Sequence, residues 1–256
     1  VQSLEPSILK FLTRIHDVKQ VYDTFDYARE IGFNNINCDL IYSIPGQSWD
    51  VWVRDLKAII KLDPEHISAY TLTSERGTEL FKLIKKREII MPKDEKTADW
   101  FLKTHKILKT NYYNAYEISN FSKMNYECEH NLHYWNINPY IGYGPSAHSF
   151  DGHIRWSNIK SLDNYIKKLT SVKTPLSFSE ELSLESKTNE MIGFGLRTSL
   201  GIKTQNIPKS LINKFKNNLE FAIGKWGNCI IIDDETIKLS IDGLAYGDAI
   251  AVDLMI

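Results

Sequence analysis

Cysteine is scarce in this chain, and the three it has, Cys38, Cys128 and Cys229, lie far apart. An iron–sulfur cluster is held by closely spaced thiolates, so this spacing excludes a CxxxCxxC cluster loop within these residues. An odd number of cysteines also argues against a disulfide framework and for a reducing compartment, the cytoplasm by default. Long apolar runs are missing, so nothing reads as a membrane span. The Val-Gln-Ser-Leu-Glu start lacks the basic and apolar regions of a signal peptide. Excess charge is missing too: a net charge of −1 gives no basic field for nucleic acid or an anionic membrane. No G-x-S-x-G nucleophile elbow, internal repeat or low-complexity stretch occurs. The first residue is Val rather than Met, so the chain is expected to be a fragment or a processed product.

What is present is ordinary for a globular protein: 256 residues, 43% hydrophobic and 25% charged, enough for one large domain or two smaller ones. The first third alternates helix and strand patterns. Ser3 and Asp17 are predicted N-caps, followed by apolar residues at helical spacing (Ile8, Leu9, Leu12, Ile15, then Val21, Phe25, Ala28), and Gly32 sits where a helix ends. A strand is expected over Asn35–Tyr42, a helix from the Ser48 cap to about Leu62, and a strand over His66–Leu72. That order predicts βαβ units and a parallel sheet. Helices follow at about 78–87 and 94–110, then a strand around Tyr113–Ile118 and a long loop from Ser119 to about Asn158. Residues from about 182 are expected to be helical, with a strand pair at Asn228–Asp233 and Thr236–Ser240 joined at Asp234-Glu235, a small helical or winged-helix-like tail.

The densest cluster of ligand-capable groups is Cys128-Glu129-His130-Asn131-Leu132-His133-Tyr134-Trp135. A thiolate and two imidazoles this close can bind a transition metal, but the spacing does not match a Cys2His2 zinc site. With Tyr134, Trp135 and Tyr140 as flat walls, an imidazole or thiolate here suits a haem iron and its macrocycle. A loop simply packed on the core is the competing reading. The second constellation, Ile141-Gly142-Tyr143-Gly144-Pro145-Ser146-Ala147-His148-Ser149, lets backbone approach a ligand closely, or is a tight structural turn. Asp39, inside an apolar strand just before a turn, either anchors the hydroxyl or amine of a small molecule at a sheet end or is a structural carboxylate paired with Arg14. His16, His66, His105 and His153 stand isolated, and the basic run Lys82–Arg87 reads as a solvated face.

At these residues the chain resembles the coproporphyrinogen-III-oxidase-like radical-SAM family. The likeness is carried by Val1-Gln2-Ser3, Asp39-Leu40-Ile41-Tyr42 with Ile44-Pro45-Gly46-Gln47, Glu65-His66-Ile67-Ser68, Tyr116-Glu117-Ile118-Ser119-Asn120-Phe121 and Gly144-Pro145-Ser146-Ala147-His148-Ser149, from residue 1 to about 200. His130-Asn131-x-x-Tyr134-Trp135 matches the HNxxYW motif of that family's haem-chaperone branch. The resemblance implies an α/β fold: residues 1–75 as the last strands and helices of a partial (β/α)6 radical-SAM barrel, 76–175 as a family-specific α+β region with a haem-binding loop, and 176–256 as the winged-helix-like tail. It implies S-adenosylmethionine contacts from Gln2, Arg14 and Asp39. It also implies haem bound by His130, Asn131, Tyr134 and Trp135, with His130 as the axial ligand and His133 at a variable position.

The function so implied is a chaperone that hands haem to acceptor haemoproteins, with any membrane association made through those acceptors and no nucleic-acid partner. The full-length protein would add S-adenosylmethionine and a [4Fe–4S] cluster. The alternative is an oxygen-independent coproporphyrinogen III oxidase-type enzyme of porphyrin biosynthesis. Without CxxxCxxC this chain is not expected to be catalytic alone, and half a barrel would expose strand edges.

Overall fold

Polar side chains cap three helices of the first unit, and a proline starts another. The computed structural model describes all 256 residues, which gather into two units, Val1–Glu127 and Cys128–Ile256. Helix α1 (Pro6–Phe11) starts on proline, whose fixed φ suits a first turn. Helix α2 (Val18–Glu30) starts on Asp17: its carboxylate accepts from the Gln20 amide, and the Gln20 side chain accepts from the Asp17 amide. Ser3, predicted as a cap, is not one. The N-cap position is Glu5; the Ser3 hydroxyl accepts from the Glu5 amide at 3.1 Å and donates to the buried Asp55 carboxylate, which also accepts from the Leu4 amide. A buried carboxylate without such donors would be costly, so it claims the serine.

The predicted βαβ unit forms. Strand β1 (Asn37–Tyr42), helix α3 (Trp49–Leu62) capped by Ser48, and strand β2 (His66–Thr71) follow one another. β1 and β2 pair in parallel from Asn37↔His66 to Tyr42↔Thr71. Gln2 lies alongside β1 in a parallel bridge to Leu40. Helices α4 (Glu79–Lys85) and α5 (Asp94–Thr110) lead to the short strands β3 (Asn114–Ala115) and β4 (Asn120–Ser122). The sheet order is β1-β2-β4-β3 and β4 runs antiparallel to β2, so the sheet is mixed rather than all parallel.

Strand periodicity sends Cys38, Leu40, Tyr42, Ile67, Ala69 and Phe121 to one face, where Trp52, Leu56, Ile59, Trp100 and Leu108 of α3 and α5 cover them. Each fully buried Leu, Ile or Phe among them contributes about 1.5–3 kcal/mol. Trp52 is wholly buried, and its indole N–H donates to Thr104 Oγ1 at 2.8 Å.

The second unit begins with helix α6 (Glu129–Trp135), then β5 (His148–Phe150), β6 (Ile154–Asn158), α7 (Leu162–Thr170) and β7 (Leu176–Glu181). The three strands form one antiparallel sheet, β5-β6-β7. Helix α8 (Leu184–Gly195), β8 (Ile202–Lys203), α9 (Ile212–Trp226), β9 (Ile230–Asp233), β10 (Thr236–Leu239), α10 (Ile241–Leu244) and α11 (Gly247–Leu254) complete it. Here the sheet is β8-β10-β9, with Ile192, Phe215, Ala222, Ile237, Ile250 and Leu254 in its core. The predicted hairpin turns at Asp234, which takes a positive φ of 51°.

Two expectations are corrected. The segment 119–158 is not one long loop: it holds β4, α6, β5 and β6. The strand expected over Tyr113–Ile118 shrinks to Asn114–Ala115. Elements this short carry too few residues to show a period. No helix is long and apolar enough to cross a membrane.

Candidate functional site

Two sets of predicted site residues occupy different units. In the first, Gln2 and Asp39 are brought side by side by backbone pairing: the Gln2 amide donates to the Asp39 carbonyl at 2.7 Å, and the Ile41 amide donates to the Gln2 carbonyl at 2.9 Å. Gln2 has a positive φ of 68°, so its side chain leaves the regular strand pleat. Arg14 is exposed and forms no ion pair, which removes the reading of Asp39 as its structural partner.

Asp39 is half-buried, and one of its carboxylate oxygens, Oδ1, accepts from Asn37 Nδ2 at 2.8 Å. Asn37 in turn meets His66, whose second nitrogen meets the Tyr116 hydroxyl at 2.9 Å. Asn37 carries no motif of its own in the sequence, and His66 stands there as an isolated histidine. The strand period offered a signal for Asn37, which stands two positions before Asp39 and so shares its face. The register that lays His66 beside it is a pairing between strands and leaves no local signal.

A carboxylate with a free oxygen beside a strand-edge amide suits the hydroxyls and amine of S-adenosylmethionine, so these residues fit that group. They do not fit an iron–sulfur cluster. Cys38 is buried in the core, where burial pushes its thiol up to about 11, and Cys128 and Cys229 lie elsewhere in the chain. No three His, Cys, Asp or Glu side chains converge on a metal-sized point, the Cys128–His133 cluster included.

The HNxxYW residues sit on α6, a helix rather than the loop expected. The Leu132 amide donates to the Cys128 carbonyl at 3.0 Å and the Asn136 amide to the Leu132 carbonyl at 2.9 Å. The helix has no side-chain cap and buries none of its residues, so aromatic contacts and the turn at its C-terminal end hold it in place. Trp135 packs edge-on against Phe194 of α8 with ring centroids 5.7 Å apart. Tyr134 meets Tyr140 at 4.8 Å, and the Tyr140 backbone pairs with Phe150 of β5. Arg155 lies over the Phe150 ring at 5.5 Å, and its fork reaches both Glu190 oxygens at 2.7 and 2.8 Å, tying β6 to α8. Asn131 is half-buried on the same helix.

The two imidazoles differ. His133 Nε2 lies 2.8 Å from the Pro139 carbonyl, so that nitrogen carries the hydrogen and is spent on the following turn. His130 is exposed, its ring stands edge-on to Tyr134 at 4.9 Å, and neither of its nitrogens is engaged by a protein hydrogen bond. An imidazole whose nitrogens are unengaged, set beside aromatic rings, has the chemistry to ligate an iron.

The Gly142–Ser149 segment is a tight turn built on close backbone approach. A Cβ on Gly142 would clash with the His148 carbonyl oxygen. The Gly142 amide donates to Ser149 Oγ at 3.0 Å, and Asn158 Nδ2 donates to the Gly144 carbonyl at 3.0 Å. His148 itself is exposed.

No family model matches the chain. Among curated proteins, it is 33% identical over 202 residues to "Heme chaperone HemW" of Bacillus subtilis, covering 79% of this chain and 53% of that protein. It is 32% identical over 226 residues to the HemW of Lactococcus lactis, covering 88% and 58%. It is also 32% identical over 266 residues to the mitochondrial radical S-adenosyl methionine domain-containing protein 1 of Danio rerio, covering 98% and 59%. The chain thus spans between half and three fifths of the length of these relatives. The solved structure of coproporphyrinogen III oxidase (HemN) from Escherichia coli, a radical SAM enzyme, matches all of this chain and 62% of its own, with a TM-score of 0.80 at 18% identity, a likeness of fold.

Proposed function

The chain is a HemW-type member of the radical-SAM family, and from that premise we propose that it binds haem at α6 through His130 and passes it to acceptor haemoproteins. The observation that carries this reading is the state of His130: exposed, edge-on to Tyr134, with both nitrogens free of protein bonds. Tyr134 and Tyr140 supply flat apolar area next to it, and Trp135 fastens the helix to α8. An exposed ligand on a short helix suits a carrier that must release its cargo.

S-adenosylmethionine would be held by Gln2, Arg14 and Asp39, the carboxylate and amide facing hydroxyl or ammonium groups and the guanidinium a carboxylate. Beside a cluster this group is the source of the family's radical chemistry; the cysteines of this chain do not converge to hold one. The enzymatic alternative, porphyrinogen oxidation, draws on a likeness of fold alone and is not favoured.

A haemin titration of the purified chain, following the Soret band, tests the proposal. His130→Ala is expected to weaken a saturable shift by tenfold or more, and His133→Ala to leave it nearly unchanged. Unchanged binding by His130→Ala would sink His130 as the ligand and turn attention to Cys128 and His148. Transfer is read separately, by mixing the loaded chain with an apo-haemoprotein and following the acceptor's own Soret band.

A further inference from the structure

Strand periodicity puts Asn37, Asp39 and Ile41 on one face of β1, and the register lays His66, Ser68 and Tyr70 of β2 beside them. Opposite the apolar face that meets α3 and α5, this face is largely polar. Its side chains are joined end to end. The Tyr116 hydroxyl lies 2.9 Å from His66 Nε2, His66 Nδ1 lies 2.7 Å from Asn37 Oδ1, and Asn37 Nδ2 lies 2.8 Å from Asp39 Oδ1.

Donor chemistry sets the direction of every bond. A carboxylate only accepts, so the amide nitrogen of Asn37 faces Asp39. The amide oxygen then faces His66, so Nδ1 carries the imidazole hydrogen. In the neutral ring Nε2 accepts, and the Tyr116 hydroxyl donates to it. Burial lowers the His66 pKa and so favours the neutral ring this pattern uses, although the charges of Asp39 and Glu127 oppose that shift. Ser68 Oγ accepts from Asn37 Nδ2 at 3.1 Å and sits 3.3 Å from its oxygen, which holds the amide plane from the neighbouring strand. A flipped amide would set its oxygen against the carboxylate. No protein donor reaches the second Asp39 oxygen, Oδ2.

We propose that Asn37 and His66 are positioning residues that occupy one Asp39 oxygen and fix its rotamer, so that the other is presented to a hydroxyl or ammonium group of S-adenosylmethionine. This rests on the reading of Asp39 as a contact for that molecule. His66 acts through Asn37, and Asn37 acts through Asp39.

A double-mutant cycle separates the two readings. The binding of S-adenosylmethionine to the full chain is measured by equilibrium dialysis for the unsubstituted protein, Asp39→Asn, Asn37→Ala and the double variant, each with its melting temperature. Asp39→Asn and Asn37→Ala are each expected to weaken binding about tenfold, and the double variant to bind no worse than Asp39→Asn, because residues in one network do not add. Asn37→Asp, which sets like charge against Asp39, is expected to weaken binding more than Asn37→Ala while the half-exposed position keeps the fold. Losses that add in the double variant, or that track a fall in melting temperature, would overturn the positioning role. Full affinity in Asn37→Ala with loss in Asp39→Asn would overturn it too, while leaving Asp39 as a contact. Full affinity in Asp39→Asn, or no saturable binding by the unsubstituted chain, would remove the reading underneath.

Discussion

His105 makes the stability of the first unit depend on pH, and the size of the effect follows from its surroundings. The ring is buried on α5 between Phe101 and Phe121, with ring centroids 4.2 and 4.7 Å away. Its Nε2 has no hydrogen-bond partner. Burial pulls its pKa down to about 4 from 6.5, against a bond to the Ile118 backbone that would raise it. Because the folded value is depressed, the unfolded chain takes up a proton between these two values and the folded chain does not. Stability from this group is therefore complete above about pH 6.5 and is lost as pH falls toward 4. One pKa unit is worth about 1.4 kcal/mol, so the whole loss is about 3 kcal/mol, of which about 2 is felt by pH 5. Urea unfolding of the chain and of His105→Leu at pH 7 and pH 5, followed by tryptophan fluorescence, isolates the histidine's contribution. Glu117, whose pKa burial raises, contributes with the opposite sign but equally to both proteins. The variant is expected to lose about 2 kcal/mol less on acidification than its parent. Equal losses in the two proteins, or an NMR titration of His105 near 6.5, would refute the reasoning.

Two further perturbations probe packing and the α6 site. Thr104→Val keeps the side-chain shape but leaves the wholly buried Trp52 N–H without its acceptor, and is expected to cost about 1–3 kcal/mol in urea unfolding. Gly142→Ala would drive a Cβ into the His148 carbonyl, so the turn must open. A change in haemin affinity that leaves the far-UV spectrum intact is expected, and unaltered binding would separate that turn from the α6 site.

Much of the architecture was legible in the sequence alone. Asp17 and Ser48 announced their helices because a cap and an apolar stripe are local signals. β1, α3 and β2 were readable because each is long enough to show its own period. The HNxxYW residues and Asp39 stood out by chemistry, and their likeness to a family supplied roles that no periodicity contains. Ser3 stands three positions before the first helical residue, Pro6, so although its hydroxyl donates to Asp55 and accepts from the Glu5 amide, it lies outside the cap position.

By itself, then, the sequence determined which segments are helices and strands wherever a pattern could repeat, and which residues carry ligand chemistry. Only the tertiary structure decided what those residues are free to do. His130 and His133 are the same side chain three positions apart, yet one is spent on the Pro139 carbonyl and the other is not. Asn37 and His66 are 29 positions apart in the chain and become partners only through the β1–β2 register. Hydrogen bonds are decided over a few ångströms in space, and which groups share that space is set by strand register and packing, which no local pattern encodes.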